Sequence, residues 1–408
     1  MRKLPIDRKT KRTSTMSENT SLSPKEILSQ TDAYRNLFPH TKRGDIYLNH
    51  AAVSPLSLPV KNAIQAHLEE RSELDIENYF STLAPALQSA RARVSSWIGC
   101  KSENLAFVPN TSYGINLLAQ GLSWKSGDRV LLYDKEFPAN VYPFLALQKK
   151  GVKVDFFSDR NGEILLEDIA KKLTPETRLL SISFVQFLSG FRIDLAAIAA
   201  LCHKHDVLCA VDGIQGLGAF AIDCEESGID FLSSGCHKWA MSPMGIGIIY
   251  VSDQLLAELD PVFTGWLSVE NAWEMLDYKL DLPHSARRYE LGTINWMGII
   301  GLNEAFGLFR EIGQPVLSQK ILLLSEHLRQ KLQEAGFELA LQTGKDHLSG
   351  ITSVANLEAA EQIVTELANR NIEVSMRDGF LRIAPHFYNT IDELTHFVEE
   401  LKTIDIAP

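Results

Sequence analysis

Between Leu105 and Val251 the sequence alternates short apolar runs with stretches of helical spacing, and this feature constrains the fold more than any other. The apolar runs include LAFV, RVLLY, VKVDFF, RLLSIS, VLCAV and GIGIIYV. Strands that alternate with helices at this rhythm indicate a mainly parallel sheet with helices on both of its faces. The sequence therefore predicts an α/β fold with a large, sheet-centred domain.

The pattern changes from about Gly301. A long helix (ILLLSEHLRQKLQEAG) is followed by a short strand, another helix, two short strands and a last helix that opens with a capping box at Thr390–Glu393. This order is typical of a smaller α+β domain. We expect a disordered tail at 1–25, a segment at 26–60 that packs with the small domain, a large domain at 61–295 and the small domain at 296–408.

Charge and cysteine content narrow the class of protein. The 408 residues carry a net charge of −11, which argues against nucleic acid or an anionic membrane as the partner. No apolar run approaches the roughly 18–20 residues that a membrane span requires. The five cysteines are irregularly spaced without a CxxC pair, so neither disulfides nor a metal site is expected. We expect a cytoplasmic protein.

Two titratable residues follow buried runs at the expected ligand-binding edge of the sheet, which is the edge formed by the carboxyl ends of the strands. Asp212 ends VLCAV, where an ionised carboxylate is costly without a cationic partner. Lys238 lies between two apolar strands, where desolvation can lower the pKa of its amine. A turn-capping Asp and a surface Lys remain the ordinary explanations for each residue taken alone.

Other residues at the same edge suit a phosphate and an aromatic ring. Thr111 and Ser112 begin a helix directly after a strand, where free backbone N–H groups favour an anion, although both could simply cap the helix. Phe137 follows another strand and could lie on a ring or in the core. The segment GIQGLG at 213–218 has the wrong glycine order for a dinucleotide fingerprint, so an NAD site is not expected.

The order of these residues, with the segments VDGIQ and SGCHKW, resembles the aminotransferase class V group of fold-type I pyridoxal-phosphate (PLP) enzymes. The resemblance extends from YLNHAAVSP at residue 47 to the last helix. The group includes cysteine desulfurases, a cyst(e)ine C–S lyase and isopenicillin N epimerase. The resemblance implies that the large domain binds PLP, that the substrate is an amino acid, and that a homodimer shares each active site between its subunits.

The resemblance also implies a role for individual residues. Lys238 would form the aldimine with PLP and Asp212 would pair with the pyridine nitrogen. The other implied cofactor contacts are Thr111, Ser112, Phe137, Gln186, Gln215, Ser234, His237 and, across the subunit boundary, Thr293. Arg382 matches the arginine that binds the substrate carboxylate, where a bidentate guanidinium contact is favourable. His50 and Trp266 are further candidates for substrate contacts.

Two positions depart from the family pattern. Phe137 stands where desulfurases commonly have a stacking histidine, which removes a possible acid or base but keeps the stacking surface. Gly235 stands where many relatives have serine, so a phosphate contact from the neighbouring Ser234 is uncertain.

Several reactions are compatible with this set of residues. After the substrate amine has displaced the lysine, Lys238 can remove the Cα proton while PLP takes up the electrons. The chain has no cysteine after Cys236, so the usual persulfide route of a desulfurase is not expected. We favour a β-elimination C–S lyase that acts on a cysteine-like substrate through an external aldimine. An aminotransferase and a Cα epimerase stay open, whereas a PLP scaffold without turnover is disfavoured because Lys238, Asp212 and Arg382 are all present.

Overall fold

The computed structural model describes residues 22–404 except 77, 343, 358 and 359. Its strands are β1 (Ile46–Tyr47), β2 (Leu105–Val108), β3 (Arg129–Tyr133), β4 (Lys153–Phe157), β5 (Thr177–Ser183), β6 (Leu208–Asp212), β7 (Phe231–Gly235), β8 (Gly247–Val251), β9 (Thr352–Val354), β10 (Ile372–Glu373), β11 (Ser375–Arg377) and β12 (Phe380–Ile383). Its helices are α1 (Pro24–Asp32), α2 (Leu58–Glu69), α3 (Ala84–Trp97), α4 (Thr111–Gly121), α5 (Tyr142–Leu145), α6 (Leu166–Ala170), α7 (Leu195–Lys204), α8 (Cys224–Ser227), α9 (Asp253–Glu258), α10 (Trp296–Ile312), α11 (Gln314–Glu334), α12 (Ala360–Asn369) and α13 (Ile391–Thr403).

The central sheet has seven strands in the order β2-β8-β7-β6-β5-β3-β4. Strands β3 to β7 run parallel to one another, and β8 runs antiparallel to both of its neighbours. Strands β2, β7 and β8 are buried along their whole length, as expected for strands covered on both faces. The predicted α/β fold with a mainly parallel central sheet is therefore confirmed.

A second, three-stranded sheet has the order β11-β12-β9 and is antiparallel. Its core includes Leu324 from α11, Leu367 from α12 and Phe397 from α13. The N-terminal segment reaches this region, because β1 pairs in parallel with β10 and Asn49 forms a bridge to Ala384. Residues 46–49 thus pair with residues that come more than three hundred positions later in the chain.

Helix α10 follows the predicted domain boundary but packs with the large sheet. Its Ile299, Phe306 and Phe309 belong to the main core cluster, and the ring of Phe306 meets Trp97 of α3 edge-on at 5.8 Å. The division of the chain at residue 296 stays a prediction. No helix in the described residues is both long and apolar enough to cross a membrane.

The expected disordered tail needs a correction at its end. Residues 1–21 lie outside the described residues, but α1 begins at Pro24, inside the range predicted for the tail. The reason is a capping box: the Ser23 side chain accepts from the Glu26 backbone N–H, and the Glu26 carboxylate accepts from the Ser23 N–H. These reciprocal bonds satisfy two donors at the helix start.

Two glycines allow close approaches that shape the candidate site. A Cβ on Gly114 of α4 would lie 2.2 Å from Ser233 Oγ, so only glycine lets α4 pack directly on β7. Gly218 has a φ of +95°, and a Cβ there would lie 2.4 Å from the carbonyl oxygen of Trp239. Both glycines bring backbone against the segment that carries Lys238.

Candidate active site

A cavity of about 310 Å³ lies at the carboxyl ends of β2, β3, β5, β6 and β7. Its lining residues are Ala51, Ala52, Asn110, Thr111, Ser112, Phe137, Ala139, Phe187, Asp212, Ile214, Gln215, His237, Lys238, Arg377 and Arg382. The structure therefore brings together eight of the thirteen site residues predicted from the sequence. The other five, Gln186, Ser234, Thr293, His50 and Trp266, do not line it.

Asp212 and Lys238 are the buried charge pair of this cavity. Asp212 is 2% exposed and accepts a hydrogen bond from the Ile214 N–H at 2.9 Å. Burial raises the pKa of Asp212 to about 7, the carboxyl of Glu136 adds to the rise, and Lys238 opposes it. Burial also lowers the pKa of Lys238 to about 8, against the pull of Asp212. The cavity thus holds a carboxylate that favours a cation and an amine that deprotonates readily.

The start of α4 forms the anion-binding part of the lining. Asn110 caps the helix by accepting from the Tyr113 N–H at 2.9 Å, and Thr111 Oγ1 accepts from the Gly235 N–H at 2.8 Å. These bonds fix the helix start against the end of β7. The Ser112 hydroxyl and the His237 ring line the same cavity. Helix N–H groups with adjacent hydroxyl and imidazole donors suit a phosphate.

Phe137 provides a flat apolar surface inside the cavity. Its side chain is 43% exposed, and the Lys238 Nζ lies 5.6 Å from its ring centroid. Phe187 meets the same ring edge-on, with centroids 5.4 Å apart. A half-exposed aromatic face beside a reactive amine suits stacking on a planar ring.

Two arginines face the cavity from the three-stranded sheet. Arg382 on β12 is 2% exposed, donates to the Phe187 carbonyl at 3.2 Å, and has no hydrogen-bond partner for its buried Nε. Arg377 at the end of β11 also lines the cavity. Neither arginine forms a salt bridge to a carboxylate in the described part of the chain. The pair therefore favours an anionic ligand, and a carboxylate matches the guanidinium geometry.

Sequence reasoning missed Arg377, although a signal was present. Arg377 and Arg382 lie on adjacent antiparallel strands, with Ser375 opposite Arg382 and Arg377 opposite Phe380. Two arginines five residues apart, on either side of a short Asp–Gly turn, place two cations on one face of a hairpin.

Gln215 connects the lysine-bearing segment to the N-terminal wall. Its Oε1 accepts from Trp239 Nε1 at 2.9 Å, and its Nε2 donates to the Ala51 carbonyl at 3.0 Å. Gln215 lines the cavity as predicted, but these two bonds already orient its amide. The Gln215 amide therefore also holds Ala51 close to the segment that carries Lys238.

Three further predicted contact residues do not line the cavity and have buried hydrogen-bond partners of their own, so their roles stay predictions. Gln186 Nε2 donates to Glu136 Oε1 at 3.0 Å, and its buried Oε1 has no hydrogen-bond partner in the described residues. Ser234 is fully buried and its Oγ donates to the Gly235 carbonyl. His50 is fully buried, with Nδ1 at 2.7 Å from the Ala384 carbonyl and Nε2 at 2.8 Å from the Tyr388 hydroxyl. Burial lowers the pKa of His50, so this histidine is neutral.

Trp266 and Thr293 lie away from the cavity. Trp266 packs edge-on against Trp273 in a loop with many exposed apolar side chains. Thr293 lines a separate cavity of about 300 Å³ together with Tyr113 and Asn295. Their roles stay predictions, and the role of Thr293 is one that the resemblance places across the subunit boundary.

Comparison with known proteins identifies the family. The profile of the Aminotransferase class-V family matches residues 46–391. The chain belongs to this family. A probable cysteine desulfurase of Methanothermobacter thermautotrophicus is 27% identical over 401 residues, covering 93% of this chain and 99% of the relative. A probable cysteine desulfurase of Borreliella burgdorferi is 29% identical over 390 residues, covering 88% and 91%.

Solved structures of the family share the fold. The apo cysteine desulfurase of Thermococcus onnurineus superposes with a TM-score of 0.83 at 23% identity, covering 91% of this chain and 97% of that protein. A cystine C–S lyase in complex with its product cysteine persulfide has the same TM-score and identity, covering 90% and 99%. Membership in the family confirms the expected fold-type I architecture, the enzyme class and the PLP cofactor.

The cavity fits PLP on features of this chain. The start of α4 and His237 suit the phosphate, the face of Phe137 suits the ring, and the buried carboxylate of Asp212 suits a protonated ring nitrogen. The amine of Lys238 lines the same cavity, where it would be available to the aldehyde carbon. The unpaired Nε of Arg382 leaves a donor for a substrate beyond the cofactor.

Proposed function

We propose that this protein is a PLP-dependent β-elimination C–S lyase that acts on a cysteine-like α-amino acid. In this proposal Lys238 binds the cofactor covalently, Asp212 pairs with its ring nitrogen, and Ser112 with His237 holds its phosphate. Bound PLP supplies an electron sink for the bond broken at the substrate Cα. The proposal depends on one observation about the cavity lining. Lys238 is its one base without a proposed binding role toward substrate or cofactor charge, and no cysteine is among the lining residues.

Lys238 is the residue that we assign to proton transfer. The titratable lining residues are Asp212, His237, Lys238, Arg377 and Arg382. Four of them have binding roles in the proposal, which leaves the amine of Lys238 to take the Cα proton and to return it to the departing sulfur. Epimerisation with bases on opposite faces of the substrate would need a second such group. The replacement of histidine by Phe137 removes one candidate for it.

The position of Cys236 argues against persulfide formation on the enzyme. Cys236 is fully buried, does not line the cavity, and burial raises the pKa of its thiol. A thiol that is neither ionised nor accessible is a poor nucleophile. A lyase needs no such thiol, because the sulfur leaves with the substrate fragment.

The paired arginines support a carboxylate-bearing substrate. Arg382 is buried with an unpaired Nε and lies next to a second cation, Arg377. We propose that Arg382 binds the α-carboxylate and that Arg377 neutralises additional negative charge at the mouth of the cavity. This arrangement favours an α-amino acid over a simple amine.

We also propose a homodimer. The loop from Trp266 to Leu280 exposes large apolar side chains, with Leu276 85% and Tyr278 88% exposed. Apolar surface of this extent on one chain is typical of an interface. In such a dimer, the family resemblance implies that Thr293 reaches the cavity of the partner subunit.

Incubation of the PLP-loaded enzyme with a panel of cystine, cysteine, alanine and serine tests the reaction. We expect pyruvate together with sulfide or persulfide from the sulfur-containing substrates. The variant Cys236→Ser should give the same products at a similar rate, because its thiol lies outside the cavity. Conversion of the cofactor to its pyridoxamine form without sulfur release would instead identify an aminotransferase. Loss of sulfur release in Cys236→Ser would support a desulfurase.

Covalent capture of PLP by the cofactor-free protein should become faster as the pH rises toward 8. Only the neutral amine attacks an aldehyde. Because burial lowers the pKa of Lys238 to about 8, the neutral fraction grows about tenfold per pH unit below that value and then levels off. The measurement is the rate at which a borohydride-reducible adduct forms, from about pH 6 to about pH 9. Binding of 4′-deoxypyridoxine phosphate, which has no aldehyde, is the control. A capture rate that follows the control's pH curve would contradict the lowered pKa.

A further inference from the structure

Glu136 is a buried carboxylate without a cationic partner. Glu136 is only 7% exposed, and its carboxylate forms no salt bridge among the described residues. Its Oε1 accepts from the Ser183 N–H at 2.6 Å and from Gln186 Nε2 at 3.0 Å, and its Oε2 accepts from Ser183 Oγ at 2.6 Å. Burial raises the pKa of Glu136, although the hydrogen bonds from Ser183 and Gln186 oppose the rise, so the charged form is costly unless a cation lies nearby.

The position of Glu136 connects it to Asp212. Ser183 is the last residue of β5 and pairs in register with Asp212, the last residue of β6. Side chains of residues paired in register point to the same face of a sheet. Glu136 is bonded to the hydroxyl of Ser183, so its carboxylate lies one side chain away from Asp212. The proximity of Glu136 is also one cause of the raised pKa of Asp212.

A neutral residue could make the same hydrogen bonds. A glutamine at position 136 could accept from the Ser183 N–H and donate to the Ser183 hydroxyl without a buried charge. The carboxylate therefore requires an explanation other than hydrogen bonding. A cation held at Asp212 would provide one, since it would be attracted by both carboxylates at once.

We propose that Glu136 is a positioning residue that acts through Asp212 to hold a cationic ring nitrogen in the cavity. Asp212 would contact the ring nitrogen, and Glu136 would lie on the far side of Asp212. The negative charges of both carboxylates would favour the protonated ring over the neutral one. The inference rests on the proposed pairing of Asp212 with the ring nitrogen of PLP. Its new content is that the negative charge of Glu136, rather than its shape, contributes to that pairing.

The test compares the affinity of the cofactor-free protein for PLP and for 1-deaza-PLP, in which a C–H group replaces the ring nitrogen. Both molecules carry the same phosphate and aldehyde, so the ratio of their affinities isolates the contribution of the ring nitrogen. We expect Glu136→Gln to lower this ratio by about tenfold, an effect of the size that one buried charge exerts at short range. Its affinity for 1-deaza-PLP should stay close to that of the wild type.

Glu136→Asp is the matched variant. It keeps the charge but shortens the side chain, so it should disturb the hydrogen bonds to Ser183. We expect it to preserve most of the ratio of PLP affinity to 1-deaza-PLP affinity. A purely structural role predicts the opposite order, with both ligands weakened and Asp more harmful than Gln. An equal loss of affinity for both ligands in Glu136→Gln would overturn the proposal, and so would a lost ratio in Glu136→Asp. The result with Glu136→Asp therefore tests the proposal even if Glu136→Gln does not fold.

Asp212→Asn separates this inference from the proposed function. That variant should lower the same ratio, because it removes the direct partner of the ring nitrogen. An unchanged ratio in Asp212→Asn would show that the pairing itself is wrong. A lowered ratio in Asp212→Asn with an unchanged ratio in Glu136→Gln would overturn only the role of Glu136.

Discussion

Replacement of Lys238 by alanine is expected to abolish covalent attachment of PLP and to lower turnover by about 10³-fold or more. Lys238 is the only lysine that lines the described cavity, and its amine has a pKa of about 8 because it is buried. Without it, neither the covalent link to the cofactor nor the transfer of the Cα proton has a group to perform it. Borohydride reduction followed by peptide mass spectrometry should find an adduct on Lys238 in the wild type and none in the variant.

The variant Lys320→Met provides a matched control. Lys320 is also buried, but it lies on α11 and pairs with Asp32 at 3.2 Å, away from the cavity. Its replacement should leave the adduct and the turnover unchanged. A reducible adduct that persists in Lys238→Ala on a different lysine would refute the assignment.

Replacement of Arg382 by alanine is expected to raise the KM for α-amino acids. A lost hydrogen-bonded charge pair in a buried site costs about 2–4 kcal/mol, which corresponds to a roughly 30- to 700-fold increase. Arg382 is 2% exposed with an unpaired Nε, so little water is available to replace its contact with a carboxylate. Steady-state kinetics with the best substrate of the panel measure the effect.

Two comparisons sharpen that result. Arg382→Lys keeps the charge but loses the fork of donors, so its KM should lie between those of the wild type and Arg382→Ala. Arg377→Ala should have a smaller effect, because Arg377 is exposed to solvent that screens its charge. An unchanged KM in Arg382→Ala would remove this residue from the substrate site.

The main fold and the centre of the site could be predicted because their signals are local. Asp212 and Lys238 follow apolar runs that are long enough to specify buried strands, and parallel strands end at one edge of a sheet. The order of the two residues along the chain therefore constrained their position in space. The structure then placed both in one cavity.

The outer contacts could not be predicted because they depend on competition between neighbours. Gln186 turns toward Glu136, and Ser234 bonds to the adjacent Gly235 carbonyl, although either could equally have faced a ligand. Histidine is a common catalytic residue, but the His50 ring forms hydrogen bonds with the Ala384 carbonyl and the Tyr388 hydroxyl. Sequence spacing does not show which partner a polar side chain will choose.

The bridge between Asn49 and Ala384 has a consequence for biosynthesis. Ala51 and Ala52, which close one side of the cavity, follow β1, whose partner strand β10 is synthesised more than three hundred residues later. A nascent chain can therefore form the central sheet before this wall has its partner strand. We expect the pocket to be complete for cofactor loading only after Ala384 has left the ribosome, and a chain that terminates before β10 to keep its lysine without a finished pocket.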